Sequence, residues 1–249
     1  MFLEGGIRMV RMDTPPLKEW PELLVLQLKV LGGRLKEGAR VLTRYYGHPL
    51  FRKADLLLGW HYLRCNPFLI SKRFLQEKGE ENPYVYGETP LTTMAMILEE
   101  CRLGPDEIFV DLGCGAGRSA FFVRTVWGCE TVGIDQVPSF IEHAQAVVQQ
   151  MKLSRLTFRC EDLTQSDLPG GAFYYFYNIC MEGKELERME QKLAALPLGT
   201  KVVTVSEPLP SACGYEVMKA FPALFTWGEA TVYYQIKKIK HFKSKETPF

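Results

Sequence analysis

Val110-Asp111-Leu112-Gly113-Cys114-Gly115-Ala116-Gly117-Arg118 is the stretch that most limits what this chain can become. An apolar run of strand length passes directly into glycines at alternate positions and then into a helical pattern, so a strand, a tight turn and a helix must follow one another. Glycine lets the backbone take left-handed dihedrals and pass close to a ligand, and the first turn of the helix offers unpaired N–H groups. Glycine turns between strand and helix also arise for steric reasons alone, so the surroundings decide what this one means.

Those surroundings alternate. A helix is expected from Leu91 to Cys101, then strand-like Ile108 to Leu112, a helix reaching Trp127, and strand-like Thr131 to Ile134. A helix near Ser139 to Met151 follows, then strands at Leu156 to Arg159 and Phe173 to Tyr177, a charged helix from Lys184 to Leu196, a strand from Lys201 to Ser206, and late strands near Ala230 to Ile239. Strands that alternate with helices predict an α/β fold with a doubly wound parallel sheet and helices on both faces.

The N-terminal part of the chain differs in kind. Pro21-Glu22 opens an apolar segment that Gly32-Gly33 should end, a basic piece runs from Leu35 to Tyr46, Pro49 precedes Phe51 to Arg64, and Pro67 starts Phe68 to Lys78. Each helix is short and needs another surface for its apolar face, which makes residues 1–80 an N-terminal helical cap and docking region. The polar run Gln76 to Pro83 reads as the linker to a main domain over residues 81–249.

The charge is divided along the same lines. Residues 1–80 hold 14 Lys and Arg against 8 Asp and Glu, residues 81–236 hold 11 against 20, and residues 237–249 hold 5 against 1, all concealed within a net charge of +1. Basic ends are candidates for docking on nucleic acid or on an acidic surface, while a solvated face is the simpler reading of each. Seven cysteines without a Cys-x-x-Cys pair encode neither a disulfide framework nor a zinc site, and no metal is expected. Buried free thiols and the absence of a long apolar run point to an intracellular, cytoplasmic protein with no membrane span, nuclear or host-directed action remaining open.

Two acidic positions give the glycine turn its meaning. Asp135 ends the strand after it, where a carboxylate can accept from both hydroxyls of a ribose, and Glu161-Asp162 follows the third strand, within reach of an adenine amine. Such a nucleoside site suits either a dinucleotide or S-adenosyl-L-methionine. Asp111, just before the glycines, would repel a phosphate and suits a cationic ligand.

Asp111-Leu112-Gly113-Cys114-Gly115-Ala116-Gly117 resembles the motif of class I S-adenosylmethionine-dependent methyltransferases over roughly residues 85 to 240. Tyr84-Val85-Tyr86-Gly87-Glu88-Thr89, with Asp106 to Gly113 after the next helix, is similar to the cofactor-binding segment of the disruptor-of-telomeric-silencing (non-SET) histone lysine methyltransferases. The resemblance implies a seven-stranded Rossmann-like methyltransferase sheet and S-adenosyl-L-methionine as cofactor. It implies cofactor contacts at Tyr86, Glu88, Thr89, Asp111, Gly113, Gly115, Gly117, Asp135, Glu161 and Asp162. Phe176-Tyr177-Asn178, Val202 to Pro208, and Thr226-Trp227-Gly228 to Tyr233-Tyr234 match further family segments, which places Asn178, Trp227 and Tyr233 on the acceptor side. Arg118 stands where the family usually has Gln, and Leu163 where it has an aromatic residue.

Methyl transfer from a sulfonium to an amine needs alignment, exclusion of water and a neutral amine. Burial and the neighbouring positive charge both favour the neutral amine, so no dedicated base is required. The reading favoured by the sequence is therefore a protein lysine N-methyltransferase acting on a protein substrate. An RNA or small-molecule methyltransferase on the same fold and a non-catalytic cofactor-binding module are the alternatives. His48, His61, His143 and His241 have no partner pattern and are read as surface or helix-packing residues, and a helix cap is expected at Thr89 or Thr92.

Overall fold

A computed structural model describes residues 20–63, 66–80, 82, 86–177, 181 and 183–238, with side chains described from residue 30 onward. Its centre is a seven-stranded sheet in the order β3-β2-β1-β4-β5-β7-β6. The strands are β1 (Ile108–Leu112), β2 (Glu130–Asp135), β3 (Leu156–Cys160), β4 (Phe173–Phe176), β5 (Lys201–Val205), β6 (Tyr215–Phe225) and β7 (Gly228–Lys237). β1 to β5 are parallel. β7 runs antiparallel to both β5 and β6, so the sheet is mixed where a parallel one was expected.

The difference has a local cause. β5 is followed only by a short 3-10 turn at Ser211–Cys213, too little chain for a helical crossover, and β6 and β7 join through Thr226-Trp227 as a hairpin. β6 goes unread in the sequence because it is the edge strand: most of its residues are exposed, and it contains Glu216, Lys219 and Pro222.

The central strands are apolar throughout because both faces are covered. Phe109, Phe173 and Tyr175 pack with α4 (Leu91–Glu100) on one side. Val110, Leu112, Tyr174 and Phe176 pack with Met189 and Leu193 of α7 (Gly183–Ala194) on the other. A third cluster joins α5 (Arg118–Phe122) and α6 (Pro138–Met151) to Leu156 and Phe158 of β3. α5 continues as a π-helical turn, Val123–Trp127, which Gly128 closes in the left-handed conformation.

Three helices form the cap: α1 (Trp20–Tyr45), α2 (Pro49–Tyr62) and α3 (Pro67–Lys78). Contrary to expectation α1 does not end at Gly32-Gly33: neither glycine adopts a positive φ, and α1 continues through both at the usual cost of glycine inside a helix. Helix signals win at the other end of the cap, where α3 consumes the first part of the expected linker and stops on Gly79 at φ 81°. The cap closes on the core through Phe51, fully buried in α2, whose ring meets Phe122 edge-on at 5.5 Å, and through Tyr45 at 4.8 Å from the same ring.

Polar contacts fix the cap in register. Glu37 of α1 accepts from the Thr92 N–H at 3.1 Å and the Thr92 hydroxyl at 2.6 Å, so the first turn of α4 is capped from another helix. The N-cap position itself is Pro90, which has no side-chain donor or acceptor, and neither threonine fills it as expected. His61 and His143, without an obvious role in the sequence, stack at 4.9 Å between α2 and α6. Of the described cysteines, Cys101, Cys114 and Cys129 are buried free thiols, Cys213 is buried as well, and Cys160 is exposed. No described helix is long and apolar enough to cross a membrane.

Candidate functional site

Strand order reverses between β1 and β4, and at such a switch point the carboxyl ends of the strands open into a crevice. A cleft of about 490 Å³ lies there, a size suited to a small-molecule ligand. The glycine turn forms its floor. Gly113, Gly115 and Gly117 all have positive φ, at 84°, 52° and 80°, and the Gly113 and Cys114 N–H groups donate to the Ile134 carbonyl at 2.8 and 2.9 Å, lashing the turn to β2. A Cβ at Gly117 would come within 2.7 Å of the Phe158 ring, and one at Gly115 within 3.1 Å of the Tyr86 ring. Gly113 has open space beside it.

Asp111 and Asp135 face this floor. Asp111 is only 3% exposed, no described side chain or backbone group is recorded donating to it, and burial followed by the Asp135 charge pushes its carboxyl up to about 7. The Asp135 carboxylate accepts from the Gly115 N–H at 2.8 Å through one oxygen and from the Val137 N–H at 2.9 Å through the other. Burial raises its pKa while those backbone bonds pull it down, and the net shift is upward. Each oxygen keeps a further lone pair for a ligand hydroxyl.

The segment before α4 supplies a wall. The Tyr86 hydroxyl donates to Glu88 Oε1 at 2.7 Å, and the Tyr86 ring lies over Gly115 and 5.4 Å from Phe140. Thr89 is bonded to the Tyr175 hydroxyl at 2.7 Å, which ties the segment to β4. Asp162 is turned into its own loop: one oxygen takes the Thr164 N–H and hydroxyl, the other takes Gln165, and these bonds outweigh the effect of burial to lower its pKa. Lys192 of α7 holds the same loop through the Leu163 and Ser166 carbonyls, each at 2.7 Å. Glu161 lines the cleft as well.

On the acceptor side the geometry is mixed. Trp227 is 48% exposed, and its indole N–H donates to the Tyr177 hydroxyl. Tyr177, Phe225 and Trp227 form three nearly parallel rings, with centroids 5.5 to 6.5 Å apart. Tyr177 lines the cleft, so Trp227 joins it through that ring. Tyr233 pairs with Thr204 and Ala220 inside the sheet and is not among the cleft residues. Asn178 lies outside the described residues.

Tyr177, which lines the cleft, and Phe225, which stacks on it, are not singled out by the sequence reading, although Tyr177 directly follows β4, where strand-end residues line such clefts. The same holds for Ser71, Leu75 and Lys78 of α3, which close the cleft from the cap; nothing in an ordinary amphipathic helix marks them. Arg118 lines the cleft too and is held by Asp55 of α2, with Nε to Oδ1 at 2.6 Å and Nη2 to Oδ2 at 3.1 Å. Among the described residues no group of three or more His, Cys, Asp or Glu side chains could hold a metal.

The family described as histone methylation protein DOT1 matches residues 70–218. Proteins named histone-lysine N-methyltransferase, H3 lysine-79 specific, are similar in sequence. That of Dictyostelium discoideum is 24% identical over 181 residues, which are 66% of this chain and 10% of the relative. That of Eremothecium gossypii is 23% identical over 177 residues, which are 65% of this chain and 30% of the relative. That of Caenorhabditis elegans is 33% identical over 131 residues, which are 51% of this chain and 11% of the relative. The match thus spans less than a third of each of these relatives.

Among solved structures, an RNA methyltransferase from Salinibacter ruber in complex with S-adenosyl-L-homocysteine superposes with a TM-score of 0.51 at 22% identity, covering 62% of this chain and 97% of the other. The cyclase SpnF superposes at 0.53 and 13% identity, covering 68% of this chain and 93% of the other. These likenesses concern the fold: an RNA methyltransferase and a cyclase share it, so the acceptor is not written in the sheet.

Proposed function

The chain belongs to the DOT1 histone methylation family, and from that premise we propose that it is an S-adenosylmethionine-dependent protein lysine N-methyltransferase. The observation that carries the reading is the donor set of the cleft. Asp111, a buried carboxylate without a recorded hydrogen-bond donor, faces a glycine floor, with Asp135 and Glu88 close by. A cluster of acceptors around the turn's floor, with Arg118 at its edge already paired to Asp55, fits a ligand that carries ammonium, sulfonium and ribose hydroxyls better than it fits a pyrophosphate.

When bound, the cofactor supplies an electrophilic methyl group; binding, aiming and drying the site fall to the side chains. Asp135 suits the ribose, and Asp111 and Glu88 suit the ammonium. The Tyr177, Phe225 and Trp227 rings form an apolar wall that strips water from an incoming lysine and favours its neutral form. These rings would align the lysine nitrogen with the methyl group that the bound cofactor would supply, and the proton released from the methylated amine would pass to solvent.

The relatives' names make histone H3 the first protein to try. Docking on nucleic acid through the basic cap and the 237–249 tail belongs to the same proposal, as does action inside the cell, which the buried free thiols support. The test is incubation of the purified chain with methyl-labelled cofactor and core histones, free or in nucleosomes, and with cell extract. Label should appear on protein lysines, and Trp227→Ala should cut it by about tenfold or more while leaving affinity for S-adenosylhomocysteine unchanged. Label found only in RNA or small molecules overturns the lysine reading.

A further inference from the structure

The first two helices of the cap carry an apolar ridge on the side away from the core. Leu31, Leu35 and Leu42 form it on α1. On α2 and its C-cap it is Leu56, Trp60 and Leu63, on the side opposite the buried Phe51, Ala54 and Leu58, with Trp60 at 74% and Leu63 at 71% exposure. Helical spacing brings each trio onto one face. Single exposed leucines are ordinary, but aligned ones mark a surface that something else covers.

The two ridges look the same way. Val41 of α1 and Phe51 of α2 share a cluster with Phe109 of β1, and Ala54 and Leu58 of α2 share one with Phe158 of β3. Phe109 is in register with Thr131 of β2, and Gly133, two residues further on, is in register with Phe158, so both clusters cover one face of the sheet. α1 contacts α4, and α2 contacts α5 and α6. The two cap helices are therefore a third layer over that face, with their outer sides turned away from it together.

The charge on this layer has one sign. Between residues 30 and 63 stand six Lys and Arg, all exposed, and none of them forms an ion pair with a described residue. Lys36, Arg40 and Arg44 run in a row beside the leucines of α1, and Arg52 and Lys53 begin the outer side of α2. The two acids of this stretch, Glu37 and Asp55, are turned inward to Thr92 and Arg118. The same stretch contains no Asn, Gln or Ser, the uncharged groups with which a specific protein interface makes many of its hydrogen bonds. A nucleic-acid backbone would engage the cations and leave the leucines and Trp60 in water. Alkyl and indole side chains flanked by cations are the combination that an anionic lipid surface takes up, the apolar groups entering the acyl boundary and the cations meeting the headgroups.

We propose that the outer face of α1 and α2 docks on a bilayer that carries anionic headgroups. For this face the bilayer replaces nucleic acid as the occupant, and the inference is independent of the cofactor reading.

The test is flotation of the purified full chain with vesicles of phosphatidylcholine alone and of phosphatidylcholine mixed with phosphatidylserine. Wild type should float with the anionic vesicles and stay behind with the neutral ones. Leu56→Ser combined with Leu63→Ser, and separately Lys36→Gln combined with Arg40→Gln, should each weaken binding by about tenfold or more, with thermal melts unchanged because all four side chains are exposed. Wild type that ignores anionic vesicles, or binds both kinds equally, overturns the proposal. Vesicle binding that the leucine variant leaves unaltered overturns it as well, since duplex DNA would serve such a purely electrostatic face equally well. A dimer in sedimentation that the leucine variant dissolves also overturns it, because a second copy would then cover the ridges. If the leucine variant does not fold, brominated lipid decides the matter: it should quench wild-type tryptophan emission, Trp60→Phe should lose much of that quenching, and quenching unaltered in Trp60→Phe overturns the proposal.

Discussion

Asp111 concentrates the chemistry of the site into one carboxyl group. Burial and the Asp135 charge raise its pKa from 3.8 to about 7, so the folded chain holds this proton more tightly than the unfolded one. The stability this group contributes is therefore complete below its unfolded pKa and is lost as pH rises through about 7. A cationic ligand binds the ionised form, so affinity for S-adenosylmethionine should climb over the same window and binding near neutral pH should release a proton. Calorimetry in buffers of different ionisation enthalpy measures that release. Asp111→Asn should abolish it, weaken binding by about tenfold or more, and remove the loss of stability at high pH. Affinity that stays flat across the window would show that Asp111 does not meet the cation. Asp135→Ala should weaken binding too, but it also releases the Gly115 and Val137 N–H groups, so its melting temperature should fall with its affinity.

At the scale of elements, two predictions separate what the structure places from what the sequence suggested. If α1 runs unbroken, Gly32→Ala and Gly33→Ala should each stabilise the chain by about 0.5 to 1 kcal/mol, because neither needs a positive φ and an added Cβ meets nothing within 4 Å. Urea melts that shift to lower midpoints would restore the helix end expected there. Glu37→Ala should cost about 1 to 2 kcal/mol by uncapping α4, an effect readable in the same melts. These cases also show where sequence reading ends. β1 and β4 were legible because strands covered on both faces are apolar without interruption, and the glycine turn was legible because its backbone demands the residue type. β6 was not, because an edge strand keeps the polar composition of a loop. The cap of α4 was not, because its acceptor comes from a helix 55 residues upstream, and no local pattern records such a partner.

For the molecule as a whole, the division of charge acquires a geometry. The acidic central segment contributes Glu88, Asp111, Asp135, Glu161 and Asp162 to one cleft, while the basic first segment is the cap that closes it. If the basic ends dock on nucleic acid, affinity for duplex DNA should fall steeply with added salt, and binding without salt dependence would reduce them to ordinary surface. Part of the acidic lining was readable from spacing, since Asp111 and Asp135 lie near or at the ends of β1 and β2 and Glu161 directly follows β3. The wall contributed by α3 was not, since Ser71, Leu75 and Lys78 reach the cleft only through the way the cap folds back on the core. That wall bears on the order of events. If, as proposed, the methyl donor binds in this cleft and a partner docks on the outer face of the cap, the two binding steps form one coupled equilibrium, and a docked partner should slow the escape of the donor. In steady-state kinetics this predicts a sequential order with the donor first on and its product last off.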